Sequence, residues 1–552
     1  MKIQNKTLQP PRVDYFFKNY IEVKGGNPLE GHLKISGAKN SALVLMAASI
    51  LSKGEINLFN VPQISDVAIM SKLLIAMGIN IKSKANQLTI NTKEIIIPPQ
   101  DLFFDLYHAL RVSFFCIGPI LARFGTAKIP LPGGCSIGSR PIDEHINSLK
   151  KLGVVFQYRN NYLIAKVINP KKRLLGSSIN FKCKSVGATE TLLMAASLAK
   201  GKTILNNAAE EPEIVDLANM LNLMGARIKG AGSECITIEG VESLKGCDYT
   251  VIPDRIEAGT FLLAAAITRS TISLFPCEPN HLKAVINKLE LCGCKFEYSD
   301  FCLKIIPNQI LNSVDMTTSP FPGFPTDLQA PFMALMATAN GISKIKETVF
   351  ENRMHHVKEL NRMGANITLK DNIATVVGVE NLKGSVILGS DLRASAALAL
   401  AGLSAGGKTL IGGVEHLERG YENFSTKLQE IGAAIVIKKK IKIMFKLNNY
   451  FAKISLKNNS KKYTSAFAFS FFIGFFIATI PYIYKFIENF RNQILIQEQR
   501  KIQIENKEKI CKDKNSDYIK FLDLGFTETA NRKFNTCMKE KSKNIKNYFI
   551  YL

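Results

Sequence analysis

Six times along the chain a helix-like stretch ends in glycine and runs directly into an alternating strand: "LLIAMGINIKS", "LKKLGVVFQY", "LNLMGARIKG", "LELCGCKFEY", "LNRMGANITL" and "LQEIGAAIVI". The glycines are Gly78, Gly153, Gly225, Gly293, Gly364 and Gly432, at spacings of 75, 72, 68, 71 and 68 residues. Each stands where a helix C-terminus calls for a left-handed residue before the backbone turns into a strand. The chain therefore reads as six copies of one unit. In the first copy "HLKIS" alternates, "NSALVLMAASIL" has a helix-length apolar face, "EINLF" alternates, "DVAIMSKLLIAMG" is helical, and "INIKS" and "QLTIN" are short strands. The unit is βαβαββ, and at about 70 residues it is longer than the common solenoid repeats. Its helices ("ETLLMAASLA", "AGTFLLAAAI", "SAALALAGLSA") are apolar around most of their circumference, so they must be covered by sheets. An α/β body with its helices inside follows.

The formal charge of +25 suggests a nucleic-acid binder until it is located. Residues 438–552 hold 24 Lys+Arg and 9 Asp+Glu, a net of +15; the 437 residues before them hold 47 and 37, a net of +10. More than half the excess thus belongs to the last fifth of the chain. The 11 cysteines form no CxxC pair and the histidines number only 7, which fits neither a disulfide framework nor a zinc site and suits a reducing cytoplasm. The opening residues, "MKIQNKTLQPPRVDYFFKN", contain no apolar core of a secretory signal.

Cys135 lies in "LPGGCSIGSRP", a glycine-rich loop with a guanidinium five residues on. That setting stabilises a thiolate and suits chemistry, although a free cysteine in a surface turn would have the same sequence. Lys39 and Asn40 precede an apolar helix, where an anion would meet unpaired backbone N–H groups. Arg111, Arg140, Arg393 and Arg419 follow or interrupt small or apolar residues, and arginine is the cation best matched to carboxylate and phosphate oxygens. Asp327 is a lone carboxylate between Pro325 and a helix start, placed to act as a base or as an N-cap.

In order and without a missing block, "ISGAKNSAL", "LARFGTAKIPLPGGCSIGSRPIDEH", "SVGATET", "NAAEEPEI", "PDRIEAGT", "FPGFPTDLQA", "FENRMHHVKEL", "DLRASAALALAGL" and "RGYE" resemble the UDP-N-acetylglucosamine enolpyruvyl transferases of the EPSP synthase superfamily, from about Ile21 to about Ile437. The resemblance implies two domains, each an inside-out α/β barrel of three repeats, with the active site in the cleft between them: residues 1–38 with 253–437, and residues 39–252. It implies transfer of the enolpyruvyl group of phosphoenolpyruvate to the sugar 3-hydroxyl, the first committed step of peptidoglycan synthesis, with no metal and no cofactor. Carried over residue by residue, it gives Lys39, Asn40, Arg140 and Arg419 to phosphoenolpyruvate, Arg111 to the nucleotide sugar, and Arg393 to the pyruvyl carboxylate or nearby phosphate. Asp327 becomes the base, and Cys135 the acid for C3 and a nucleophile toward C2, on a loop that closes as a lid. The nucleotide sugar is expected along Arg140, Pro141, Ile142, Asp143 and Glu144, along Lys184, Ser185 and Val186, and near Val349. Glu144 stands where the family usually has Leu, and Pro331 where it tends to have Gln. His145, His355 and His356 read as structural or substrate-edge residues.

Two other readings remain open on sequence. A 3-phosphoshikimate enolpyruvyl transferase shares the fold but lacks the cysteine loop. A catalytically silent, membrane-tethered nucleotide-sugar binder would be expected to lose Cys135, Asp327 or Lys39.

After "AAIVIKKK" the resemblance ends. A Lys-rich linker, 438–462, leads into 463–484, "YTSAFAFSFFIGFFIATIPYIY", which has no charge in 22 positions and is long enough to cross about 30 Å of hydrocarbon. A buried hairpin or helix is the competing reading. Nine lysines and no acid in 438–464, against three basic and two acidic residues in 485–500, place the body on the cytoplasmic side of an inner membrane. Residues 485–552 form a basic tail of unknown role.

Overall fold

The computed structural model describes residues 19–93, 95, 111–130, 138, 142–159, 162–169, 171 and 173–439, the side chains of 111–113 and 439 excepted. These all fall in one compact unit, Met1–Ile441; the second unit, Lys442–Leu552, lies outside the described residues, and so does the apolar stretch 463–484. Among the described residues no helix is long and apolar enough to cross a membrane.

All six glycines of the repeated phrase have positive φ, from 80° at Gly78 to 109° at Gly225. At the residue after the glycine the amide reaches back over the turn, as in Ile79 N to Leu74 O (3.1 Å), Ala226 N to Leu221 O (2.9 Å) and Ala433 N to Leu428 O (2.9 Å). This satisfies the last helical carbonyls and aims the chain into the following strand. The repeated glycine therefore does the same mechanical job in every copy.

The third copy shows the unit whole. Strand Ser178–Asn180 crosses through helix Val186–Ser197 to lie parallel to Lys202–Asn206. After helix Pro212–Leu223, strands Arg227–Lys229 and Cys235–Glu239 complete an antiparallel edge. In all, five sheets of four strands and one of three remain separate among the described residues, and no closed barrel is formed. The helices between sheets are enclosed on all sides: every residue from Ala188 to Ser197, from Ile256 to Ile267 and from Arg393 to Leu403 is buried.

Two hydrophobic cores result. One draws on Ile21–Ile35 and Ile256–Ile435, the other on Ala38–Val251, and they are called here the first and second lobes. The strands of the first copy are divided between the lobes. Its leading strand, Gly31–Lys34, which overlaps "HLKIS", pairs parallel with Ile272–Phe275 in the first lobe. The vacant place beside Glu55–Phe59 in the second lobe is filled by Asp248–Thr250. The chain crosses between lobes twice, and the two crossings run together: Ala38 N donates to Ile252 O (2.7 Å) and Asp254 N to Ser36 O (2.8 Å), with Gly37 bridged to Pro253. A Cβ at Gly37 would lie 1.7 Å from Asn60 O, so only glycine fits this crossing. In the last copy, Asn19–Lys24 inserts between Lys408–Gly412 and Ala434–Lys439, antiparallel to both.

Candidate active site

The crossing delivers Lys39 to the start of helix Lys39–Ala48. That helix has no side-chain cap, and its first amide donates to Asp254 Oδ2 (3.0 Å). Asp254 uses its other oxygen to cap helix Arg255–Ile267 through Ile256 N (2.8 Å) and Glu257 N (3.0 Å). One carboxylate thus ties together two helix N-termini from opposite lobes. Asn40 is exposed one residue into the helix, in the first turn, whose amides have no intrahelical acceptor.

Lys39 Nζ lies 3.5 Å from Asp66 Oδ2, and Arg419 Nε from the first lobe lies 2.9 Å from Asp66 Oδ1. Asp66 is buried at the first turn of helix Ser65–Ala76. Burial, then the nearby Arg393 charge, push the Lys39 ammonium below its ordinary range despite Asp66 and Asp327. The second cluster lies within the first lobe. Asp327 does not cap its helix, since no side chain caps the turn Thr326–Leu328. Its Oδ1 instead accepts from Arg353 Nη2 (2.6 Å), and its Oδ2 from Arg393 Nη2 (2.8 Å) and Nε (3.2 Å). Burial works to raise the Asp327 carboxyl, but Arg393 and Arg353 outweigh it and hold the group well below the usual carboxylate range. Arg393 is raised in turn, Asp327 overcoming the effect of burial. Lys39 and Asp327 act on each other electrostatically, so the two clusters share one field.

Arg353, in "FENRMHH", was not among the residues the sequence singled out. Its acidic and histidine neighbours resemble a solvated face, yet its side chain is only 7% exposed. Asp66 was also unmarked, because an acid in the first turn of a helix is ordinary.

Two of the segments expected at the nucleotide sugar meet. Glu144, in helix Asp143–Lys151, accepts from Lys182 N (3.3 Å), which brings Ile142, Asp143 and Glu144 next to Lys184, Ser185 and Val186. Ser185 caps helix Val186–Ser197, accepting from Ala188 N (3.3 Å). Lys184 pairs with Glu210 and, at 2.7 Å, with Glu234. His145 is buried, its Nδ1 3.1 Å from Thr191 Oγ1. Val349 is exposed, two residues before Glu351. A Cβ added to Gly138 would come within 2.4 Å of Glu351 Oε2, so Gly138 lies against the first lobe. Cys135, Arg140, Pro141 and the Arg111 side chain lie outside the described residues. Pro331 sits in the first turn of helix Gln329–Met336, where no amide partner is lost.

The family model of EPSP synthase (3-phosphoshikimate 1-carboxyvinyltransferase) matches residues 23–428. The chain belongs to the EPSP synthase family. Within it, the chain is 60% identical over 415 residues to a UDP-N-acetylglucosamine 1-carboxyvinyltransferase 2 of Prochlorococcus marinus, covering 75% of this chain and 97% of the relative. It is 52% identical over 421 residues to a UDP-N-acetylglucosamine 1-carboxyvinyltransferase of a Synechococcus species, covering 76% and 96%. Among solved structures the enolpyruvyl transferase NikO from Streptomyces tendae aligns with a TM-score of 0.68 at 24% identity, over 76% of this chain and 99% of that one, a likeness of fold.

Proposed function

We propose that this EPSP synthase family member transfers the enolpyruvyl group of phosphoenolpyruvate to the 3-hydroxyl of UDP-N-acetylglucosamine, releasing phosphate, in peptidoglycan synthesis. The observation that carries the choice of acceptor is the 60% identity with a carboxyvinyltransferase so named, across 97% of that relative.

In this reading Lys39, Asn40, Arg140 and Arg419 receive the phosphoenolpyruvate phosphate, and Arg353 joins Arg393 on the pyruvyl carboxylate. Asp327 takes the proton of the sugar hydroxyl as its oxygen attacks C2. Cys135 gives its thiol proton to C3, and return of a C3 proton to the Cys135 thiolate with departure of phosphate leaves the enol ether. The clamp on Asp327 gives this sequence its order. A carboxylate held by two guanidinium groups is a poor base. When the substrate carboxylate engages Arg353 and Arg393, Asp327 loses much of its countercharge and becomes basic only with substrate in place. Arg111, Pro141, Ile142, Asp143, Glu144, Lys184, Ser185, Val186 and Val349 line the nucleotide sugar.

The two cores support a division into 1–38 with 253–437 and 39–252, each lobe an inside-out arrangement of three sheets around buried helices. The 22 uncharged residues of 463–484 support a membrane anchor after the 438–462 linker, holding the body at the cytoplasmic face of an inner membrane.

Phosphate release from phosphoenolpyruvate by the full-length chain tests the reading. Release is expected with UDP-N-acetylglucosamine and not with shikimate 3-phosphate. The reverse preference would overturn the acceptor, and release with neither would favour a silent binder.

A further inference from the structure

Arg419 is 46% exposed and reaches Asp66 through Nε alone among the described residues, so one exposed ion pair does not explain how its guanidinium is held in place. The residues on either side of it supply the explanation. Tyr421 is anchored in the first lobe, its hydroxyl 2.8 Å from Thr260 Oγ1 and its ring 5.2 Å from the Arg393 guanidinium carbon. Glu422, the next residue, turns the other way. Its Oε1 accepts from Gln63 N (3.0 Å) and Asn86 Nδ2 (2.8 Å), both in the second lobe, and its Oε2 accepts from Ser36 Oγ (2.5 Å) at the crossing between lobes. A carboxylate is the side chain able to take three donors across two oxygens at once. Just before Arg419, Glu418 O accepts from Ser65 N (2.9 Å), capping the helix that carries Asp66. The arm is also braced from behind: Lys427 Nζ donates to Ser36 Oγ (2.7 Å) and Glu257 Oε1 (2.6 Å).

From this geometry we infer that Glu422 is a positioning residue, a latch that docks the Arg419 arm onto the second lobe and so aims Arg419 at the anion beside Lys39. It is buried, among the described residues it bonds neither Lys39 nor Asp327, and its partners are Gln63 and Asn86 of the second lobe and Ser36 at the crossing. The inference rests on the assignment of Arg419 to phosphoenolpyruvate.

Steady-state kinetics of the full-length chain with Arg419→Ala, Glu422→Ala and the double variant tests it. Glu422→Ala is expected to raise the KM for phosphoenolpyruvate by about tenfold, the size of a coupling within one hydrogen-bond network, and to raise the KM for UDP-N-acetylglucosamine by less. Adding Glu422→Ala to Arg419→Ala is expected to change nothing more, because the latch has no guanidinium left to aim. Should Glu422→Ala fail to fold, Asn86→Ala removes one donor from the second lobe and is expected to shift the same KM in the same direction, again only while Arg419 is present. Multiplying effects in the double variant, or a KM for UDP-N-acetylglucosamine raised as much as that for phosphoenolpyruvate, would overturn the latch. An unchanged KM in Arg419→Ala alone would instead remove the substrate assignment beneath it.

Discussion

Two corners of the site use the same ingredients, one carboxylate between two cations, and differ in how they are built. At Asp327 the partners Arg353 and Arg393 are 7% and 4% exposed, and all three residues belong to the first lobe. At Asp66 the partners are Lys39, 14% exposed, and Arg419, 46% exposed, and the arginine comes from the opposite lobe. The first corner is assembled by folding of one lobe. The second exists only when the lobes meet. The charges are alike in the two, so burial and lobe of origin set most of what each contributes to stability and to substrate capture.

The largest effect expected from this contrast is catalytic. Asp327→Asn keeps the shape of the first corner and removes its base, so kcat for phosphate release should fall by about 10²–10⁴. The KM for phosphoenolpyruvate should not rise, since both arginines become freer to bind it. A kcat within a few-fold of the parent would place the base elsewhere.

Stability should separate the corners next. Arg353→Ala breaks a buried pair and should lower unfolding free energy by about 3 kcal/mol, the low end for such a loss because Arg393 remains. Arg419→Ala should cost about 1 kcal/mol or less, since its side chain is nearly half exposed and Lys39 still faces Asp66. Urea unfolding of the two variants measures both, and equal losses would erase the distinction.

A smaller effect is set by pH. His356 is buried, its Nε2 has no partner among the described residues, and burial pushes it down to about 4 from 6.5. With the folded value depressed, the unfolded chain binds the proton first, so stability is lost as pH falls from 6.5 toward 4. Between pH 7 and 5.5 the parent should lose about 1 kcal/mol relative to His356→Leu. A difference that stays flat over this range would mean that His356 does not titrate as its burial implies.

The sequence carried the repeat clearly, because each copy needs a positive-φ residue at one fixed place and glycine fills it every time. Strand ownership was less legible. "HLKIS" has the right alternation for its own copy, but alternation reports burial on one face and says nothing of which strand lies alongside. Lys39, Asp327, Arg393 and Arg419 could be named from motif and resemblance. Arg353 and Asp66 could not, because what distinguishes them is burial beside partners 26 to 353 residues away. Glu422 was in plain view in "RGYE", and its role depends on donors from Gln63 and Asn86 that no local pattern announces.

The division of the site is tested most directly by amide hydrogen exchange of the full-length protein with and without UDP-N-acetylglucosamine. The amides of Gln63 and Ser65 donate across the lobes to Glu422 Oε1 and Glu418 O, whereas those of Leu328 and Arg393 donate within the first lobe to Pro325 O and Asp391 Oδ1. Added nucleotide sugar is expected to slow exchange at Gln63 and Ser65 and leave Leu328 and Arg393 as they were. Equal protection of all four before the sugar is added, or a gain at Leu328 and Arg393 matching that at Gln63 and Ser65, would contradict a site that is half preformed and half made by closure.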